Sequence, residues 1–291
     1  MVDSAESGLP SFLGSLHDAG EVWGIAFSPD GQLVATAGGN SHTVSLWSAQ
    51  TGELVRMMMG RAVVTDVAFS PDSRFVATTS DLYDVATGDG IGELPSGGYS
   101  VTFSSDGRYL ALGSGYEQNS GLGTRLFNPR TAELLRTISN EYTSVVAFNA
   151  DSTILASTTG PRKEGVRLWN PVTGERIWTL AGSSNAVAFS PDGKVTATGG
   201  RDIVQVWDAL HGGHIRDIPG NNLLAFGPDG QLLTADRNGA VRLCDPITGV
   251  TIRTLPGAYA KAAAFSPDGA RLAVITPNKV ASVVSVGQEP G

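Results

Sequence analysis

Apolar residues along this chain come in short alternating runs, separated by turn-forming residues at intervals of about 8–12 positions. The first full cycle reads Trp23-Gly24-Ile25-Ala26-Phe27, then Ser28-Pro29-Asp30-Gly31, then Leu33-Val34-Ala35-Thr36-Ala37. Pro presets φ for a type I turn, Asp suits the next position, and Gly takes the left-handed one, so the two runs form a hairpin. A third run, Thr43 to Trp47, follows a variable loop. The turn Gln50-Thr51-Gly52-Glu53 then opens a fourth, Leu54 to Met58. Runs of this length are too short for helices of core-spanning size, and their period of two predicts strands.

The cycle repeats. Its Phe recurs at Phe27, Phe69, Phe103, Phe148, Phe189, Phe226 and Phe265, a period of about 40 residues. Four strands per period, all joined by short connections, predict antiparallel sheets of one blade each. Seven copies leave no room for a second domain, although length alone would suggest two. The last copy supplies three strands, ending in Val280 to Val286. The segment Ser11 to His17 reads as a strand ahead of the first copy, so it is expected to complete the last blade and close the ring. Closure removes exposed sheet edges at the join. The second copy is short, with Ser80-Asp81-Leu82-Tyr83-Asp84 leaving almost no loop before its third strand. The third and fourth carry longer segments, Gly113 to Gly123 and Gly160 to Gly165.

The third-strand endings are Leu46-Trp47-Ser48, Leu82-Tyr83-Asp84, Leu126-Phe127-Asn128, Leu168-Trp169-Asn170, Val206-Trp207-Asp208 and Leu243-Cys244-Asp245. With the recurring Phe-Ser-Pro-Asp-Gly phrase, they resemble the WD repeat (WD40). The resemblance implies an all-β, seven-bladed β-propeller over residues 12–291, with residues 1–11 as a short polar tail. Its regular Ala- and Gly-rich copies look like those of bacterial WD-repeat proteins. The buried His–Asp–Ser/Thr–Trp network of that family is mostly missing: only His17 suits its His position, so packing is expected to hold the blades. The family implies a non-catalytic platform that docks a protein or peptide, in bacteria often as the sensor end of a signalling protein. It also implies a site at the channel mouth, four residues before each Phe: Trp23, Thr65, Tyr99, Ser144, Asn185, Asn222 and Lys261. Glu21, Tyr142 and Tyr259 lie two positions further back.

Charge and composition narrow the partners. The net charge is −8, which disfavours a chain that wraps nucleic acid or lies on an anionic membrane and favours a basic segment as partner. Gly accounts for 37 residues, in keeping with many tight turns. The acidic start has no basic, apolar leader, and no apolar run is long enough to cross a bilayer; a cytoplasmic monomer is expected.

Candidate chemistry is sparse, and no cofactor or metal is expected. Cys244 is the one cysteine and takes the Trp position of its repeat, as a small buried residue. His211-Gly212-Gly213-His214 falls where other copies carry a turn, and His42 falls in a loop. The acids Asp30, Asp72, Asp106, Asp151, Asp192, Asp229 and Asp268 sit one per blade, too dispersed for calcium. Met57-Met58-Met59 lies on an outer strand with at least one side chain expected at the surface. Two rival readings stand beside the platform. A metal-dependent hydrolase or lactonase would use Asn185, Asn222 and Glu21. A carbohydrate-binding propeller would stack sugars on Trp23, Tyr99, Tyr142 and Tyr259.

Overall fold

The structure is a computed structural model that describes residues 12–16, 21–95, 97–115, 123–159, 165–182, 184–200, 202–220, 222–236, 238, 240–276 and 278–286; for 12–16 and 256–259 only the backbone is described. It is all-β: seven four-stranded antiparallel sheets, six of them unbroken meanders from inner to outer strand. Blade 1 comprises Gly24–Phe27, Leu33–Ala37, Thr43–Ser48 and Leu54–Met59. The other inner strands are Val67–Phe69, Gly98–Phe103, Val146–Phe148, Ala186–Phe189, Asn222–Phe226 and Ala262–Phe265, each ending on the repeating Phe. Each inner strand packs against the next, and the seventh against the first.

The closing strand is where the sequence places it. Phe12–Leu16 pairs antiparallel with Ala281–Ser285, with Leu16 opposite Ala281, and becomes the outer strand of blade 7. His17 and most of the two long segments, Gly113 to Gly123 and Gly160 to Gly165, lie outside the described residues.

The hairpin turns explain the recurring phrase. In blade 1 the Gly31 N–H donates to the Ser28 carbonyl at 2.8 Å, and the Ser28 hydroxyl donates to Asp30 Oδ1 at 2.6 Å. That same oxygen accepts the Gln32 N–H, so one carboxylate holds both ends of the turn. Gly31 has φ +71°; Ser73 and Ser152 take the equivalent left-handed position in blades 2 and 4.

The cores lie in the seams between blades rather than within them. Seven buried clusters occur among the described residues. One joins Ile25, Phe27, Val34 and Trp47 of blade 1 to Ala273, Ile275 and Val283 of blade 7. Burying each large apolar side chain favours the ring by about 1.5–3 kcal/mol, so the seams dominate its stability. The polar network is kept in part: the indoles of Trp47, Trp169 and Trp207 donate to Thr36, Ser157 and Thr198 at 2.8–3.0 Å. Packing is therefore supplemented by a Trp–hydroxyl bond in three blades.

Outer strands add forward ties between blades. Arg56 of blade 1 donates to the Ala86 and Thr87 carbonyls of blade 2 at 2.8 and 2.7 Å. Arg136 reaches Thr173 of blade 4, Trp178 reaches Leu210 of blade 5, and Arg216 reaches Ile247 of blade 6. Gly92 holds the same ladder position in blade 2, and there the strand itself closes onto Thr131 and Ala132 of blade 3. In the methionine run, Met58 is buried while Met57 and Met59 are 53% and 65% exposed, as alternation requires.

Candidate functional site at the channel mouth

The seven positions four residues before the repeating Phe share one end of the ring, opposite the Ser-Pro-Asp-Gly turns. Five of them make contacts across a seam, while Ser144 and Asn185 bond within their own blades.

At the join of blades 7 and 1, Trp23 is 39% exposed and its indole lies against Gly39, where a Cβ would strike the ring. Lys279, from the connection between the second and third strands of blade 7, sits 4.6 Å from the ring centre. Lys279 also pairs with Glu21, whose carboxylate accepts the Trp23 N–H at 3.4 Å. The Lys279 ammonium holds the Glu21 carboxyl below its ordinary range, and Lys261 adds to that field from further away. Lys261 itself is exposed. Its carbonyl accepts the Asn222 side-chain amide at 2.8 Å, which ties blade 6 to blade 7.

At the join of blades 3 and 4, Tyr99 and Tyr142 have ring centres 5.8 Å apart and are tilted by 41°. Both rings cover Gly115, where a Cβ would run into Tyr99. Burial and the neighbouring Tyr99 raise the Tyr142 pKa, so the phenol stays protonated. Tyr99 is 41% exposed and Tyr142 half-buried. Thr65 donates to the Gly98 and Tyr99 carbonyls, both at 3.1 Å, bridging blades 2 and 3. Ser144 hydrogen-bonds Thr158 within blade 4 at 2.9 Å. Asn185 is exposed, with its backbone N–H on the Gly199 carbonyl. The Tyr259 side chain lies outside the described residues.

Two side chains that the spacing rule misses matter here. Lys279 comes from a connection, which no repeat position labels. Asp66 lies one residue beyond Thr65, where the other blades carry Gly24, Ser100, Val145, Ala186, Leu223 and Ala262; an acid in that column is a readable signal. Its Oδ1 accepts the Val67 N–H at 2.9 Å, and its Oδ2 accepts the Val101 N–H of blade 3 at 3.0 Å. Blade 1 presses against it: a Cβ on Gly24 would come within 2.8 Å of the Asp66 Cα. Burial pushes the Asp66 carboxyl up to about 6, against bonds from Val101, Val67 and Ser100 that pull it down.

Two of the three residues of the metal-ligand reading are otherwise engaged. Asn222 donates to a backbone carbonyl and Glu21 pairs with Lys279. Among the described residues no three His, Cys, Asp or Glu side chains converge as metal ligands do. His211 pairs with Asp208 at 3.0 Å and His214 with Asp217 at 2.8 Å, on the outer face of blade 5. Cys244 is buried.

Comparison with known proteins agrees with the repeated strand plan. Residues 11–48, 52–83 and 174–208 match the family described as WD domain, G-beta repeat. The first match begins at the closing strand of blade 7 and the third at the outer end of blade 4, so the repeat unit in sequence straddles two blades. The chain is 29% identical over 209 residues to the nuclear distribution protein PAC1 of Arthroderma otae, covering 66% of this chain and 40% of that one. It is 38% identical over 91 residues to eukaryotic translation initiation factor 3 subunit I of Coccidioides immitis, covering 28% and 26%. An uncharacterized WD repeat-containing protein of Synechocystis is 34% identical over 58 residues, 19% of this chain and 17% of that one. The chain thus spans less than half the length of these relatives. In three of its segments it is similar to the WD40 repeat, and the same strand plan runs through all seven of its blades.

Proposed function

We propose that the ring is a non-catalytic platform that docks a protein or peptide segment at its channel mouth. The observation that carries this reading is the pre-assembly of exposed aromatic and cationic side chains across seams. Tyr99 and Tyr142 rest on Gly115, and Trp23 is set between Gly39 and Lys279. Groups already held in place lose little freedom on binding, so their burial is not offset by ordering. WD40 propellers generally bind protein partners, and one relative is by name a subunit of a translation factor. We take the chain from residue 12 onward as one cytoplasmic, monomeric docking unit, of the kind that serves bacterial signalling proteins.

The mouth and the whole molecule differ in charge. The chain carries −8, yet Lys261 and Lys279 face Glu21 at the rim. A segment docking there is expected to bring apolar and acceptor groups, with Trp23 exchanging its contact with Lys279 for one with the ligand. A basic segment suits the acid-rich turn face instead.

The test is a pull-down from native host lysate that compares wild type with a Trp23→Ala, Tyr99→Ala, Lys261→Glu triple variant of matched melting temperature. The expected result is a protein retained by wild type and lost at least tenfold by the variant. Equal retention by both would remove the channel mouth as the docking site.

A further inference from the structure

The seams repeat a filling device, and one seam lacks it. The residue paired with the first position of each inner turn lies against the repeating Phe of the following blade. Tyr109 stacks on Phe148 with ring centres 6.4 Å apart. Phe75 shares a cluster with Phe103, Ile154 with Phe189, Val195 with Phe226, and Leu33 with Phe69. Blade 7 uses a cation: the Arg271 guanidinium lies 5.7 Å from the Phe27 ring centre and donates to the Ala49 and Gly31 carbonyls.

Blade 6 departs from this plan. Its turn is one residue shorter: the Gly227 N–H bonds the carbonyl of Gln231, four residues on, where Ser28 and Ser266 bond the fifth residue on. Gln231 therefore takes the filling position, and Gly227 stands where blades 1, 2, 3, 5 and 7 have Ser. The Phe265 ring edge points at Gly227, 3.4 Å from where a Cβ would lie. Beside it opens a groove of about 900 Å³ between blades 6 and 7, whose lining includes Asp229, Gln231, Arg253, Phe265, Asp268 and Val286. Asp229 and Asp268 stand on its two sides. Asp268 receives the Ser266 hydroxyl, as Asp30, Asp72, Asp106 and Asp192 receive theirs, but Asp229 has no serine in its turn to do so. By ladder position, the counterparts of Arg271's two acceptors are the Gly269 and Val286 carbonyls. Val286 is reached from the outer end of the groove by Arg253 at 3.3 Å.

We propose that this groove is a second docking site, which takes the side chain of an arginine presented by an extended peptide. The guanidinium lies over Phe265 between Asp229 and Asp268, as the chain's own Arg271 lies over Phe27 one seam further on. Charge complementarity and that internal precedent select the occupant: the planar cation stacks on the ring and meets two carboxylates. The site is on the face opposite the channel mouth and does not depend on the residues proposed to work there.

The experiment is an amide-shift NMR titration with the blocked tripeptide Gly-Arg-Gly and with its neutral citrulline counterpart. Saturable shifts at Gly227, Gly230 and Gly269 are expected, with citrulline at least tenfold weaker. Asp229→Asn keeps the acceptor for the Gln231 N–H and is expected to weaken the arginine probe at least fivefold. Asp30→Asn, beside the seam that Arg271 already fills, is expected to leave it unchanged. Gln231→Arg would supply the missing guanidinium from within and is expected to block the probe. Equal binding of the two probes, an equal effect of Asp30→Asn and Asp229→Asn, or undiminished binding by Gln231→Arg would each overturn the proposal. The channel-mouth triple variant is expected to bind the probe as wild type does, so the two sites succeed or fail separately.

Discussion

Asp66 shows how much one side chain can be made to do in a ring. It accepts backbone N–H groups from its own blade and from blade 3, while Gly24 of blade 1 packs on its Cα. Its carboxyl titrates at about 6 in the fold against 3.8 unfolded. An acid with a raised folded pKa keeps its proton longer in the fold. Its stabilising contribution is full below about pH 4 and is lost as pH rises through about 6. At about 1.4 kcal/mol per pH unit in that window, the loss is up to about 3 kcal/mol. The turn acids Asp72, Asp192 and Asp268 act in the opposite sense and lower down: serine hydroxyls hold them below the ordinary range, so they lose stability only below about pH 4. Asp66→Asn should remove the slope between about pH 4 and 6. It should also lower the baseline by about 1–2 kcal/mol, because an amide nitrogen then meets one of the two donors. Urea denaturation across that range checks it; an unchanged slope would show that another group is responsible.

Much at the residue scale was legible. The turn acids read correctly as turn residues because their role is local, two residues along the same chain. The mouth positions are counted back from Phe, but the inner strands run from three to six residues, so Tyr99 falls inside its strand while Thr65 precedes its own. Lys279 escaped because its partner, Trp23, lies 256 residues away, and a connection has no fixed place in the repeat.

At the scale of elements, strands and hairpins could be read almost to the residue, since alternation and turn chemistry are both short-range. Contacts between strands could not. The arginines at 56, 136 and 216 recur at one place in the outer strands, but their acceptors are main-chain carbonyls of the next blade, which no side-chain pattern marks. The shortened turn of blade 6 is visible in the spelling of the repeat, yet its effect on a seam needs the ladder register. A third such feature is Gly123, which begins the third strand of blade 3 with φ +117°; a Cβ there would run into the Ser139 carbonyl on the outer strand. Gly123→Ala should cost about 3–5 kcal/mol from strain and displaced pairing. Gly52→Ala has a similar sign of φ, +74°, but no neighbour within 4 Å, and should cost about 1–2 kcal/mol. Equal midpoints for the two variants in urea would contradict the close approach at Gly123.

For the molecule as a whole, each blade buries its apolar faces only against its neighbours, so the ring is stable as a circle rather than as a stack. Its single splice is the pairing of Phe12–Leu16 with Ala281–Ser285. Deleting residues 1–16 should expose the edge of blade 7 and lower the melting temperature of the whole ring. A circular-dichroism melt that is unchanged by the deletion would show that three strands suffice there.

The splice also sets a timetable. Ala281 leaves the ribosome more than 260 residues after Leu16, its partner. At roughly 5–20 residues per second, the first strand waits tens of seconds for its partner. During that time six blades can assemble in order of synthesis, each on the one before, while both ends of the growing arc stay unsealed. The last event is a meeting of the two ends of the ring, a contact of the longest sequence range within the propeller and so among the slowest to form. Newborn rings are therefore most exposed to wrong pairing as blade 7 emerges, when only that one zip remains to be drawn.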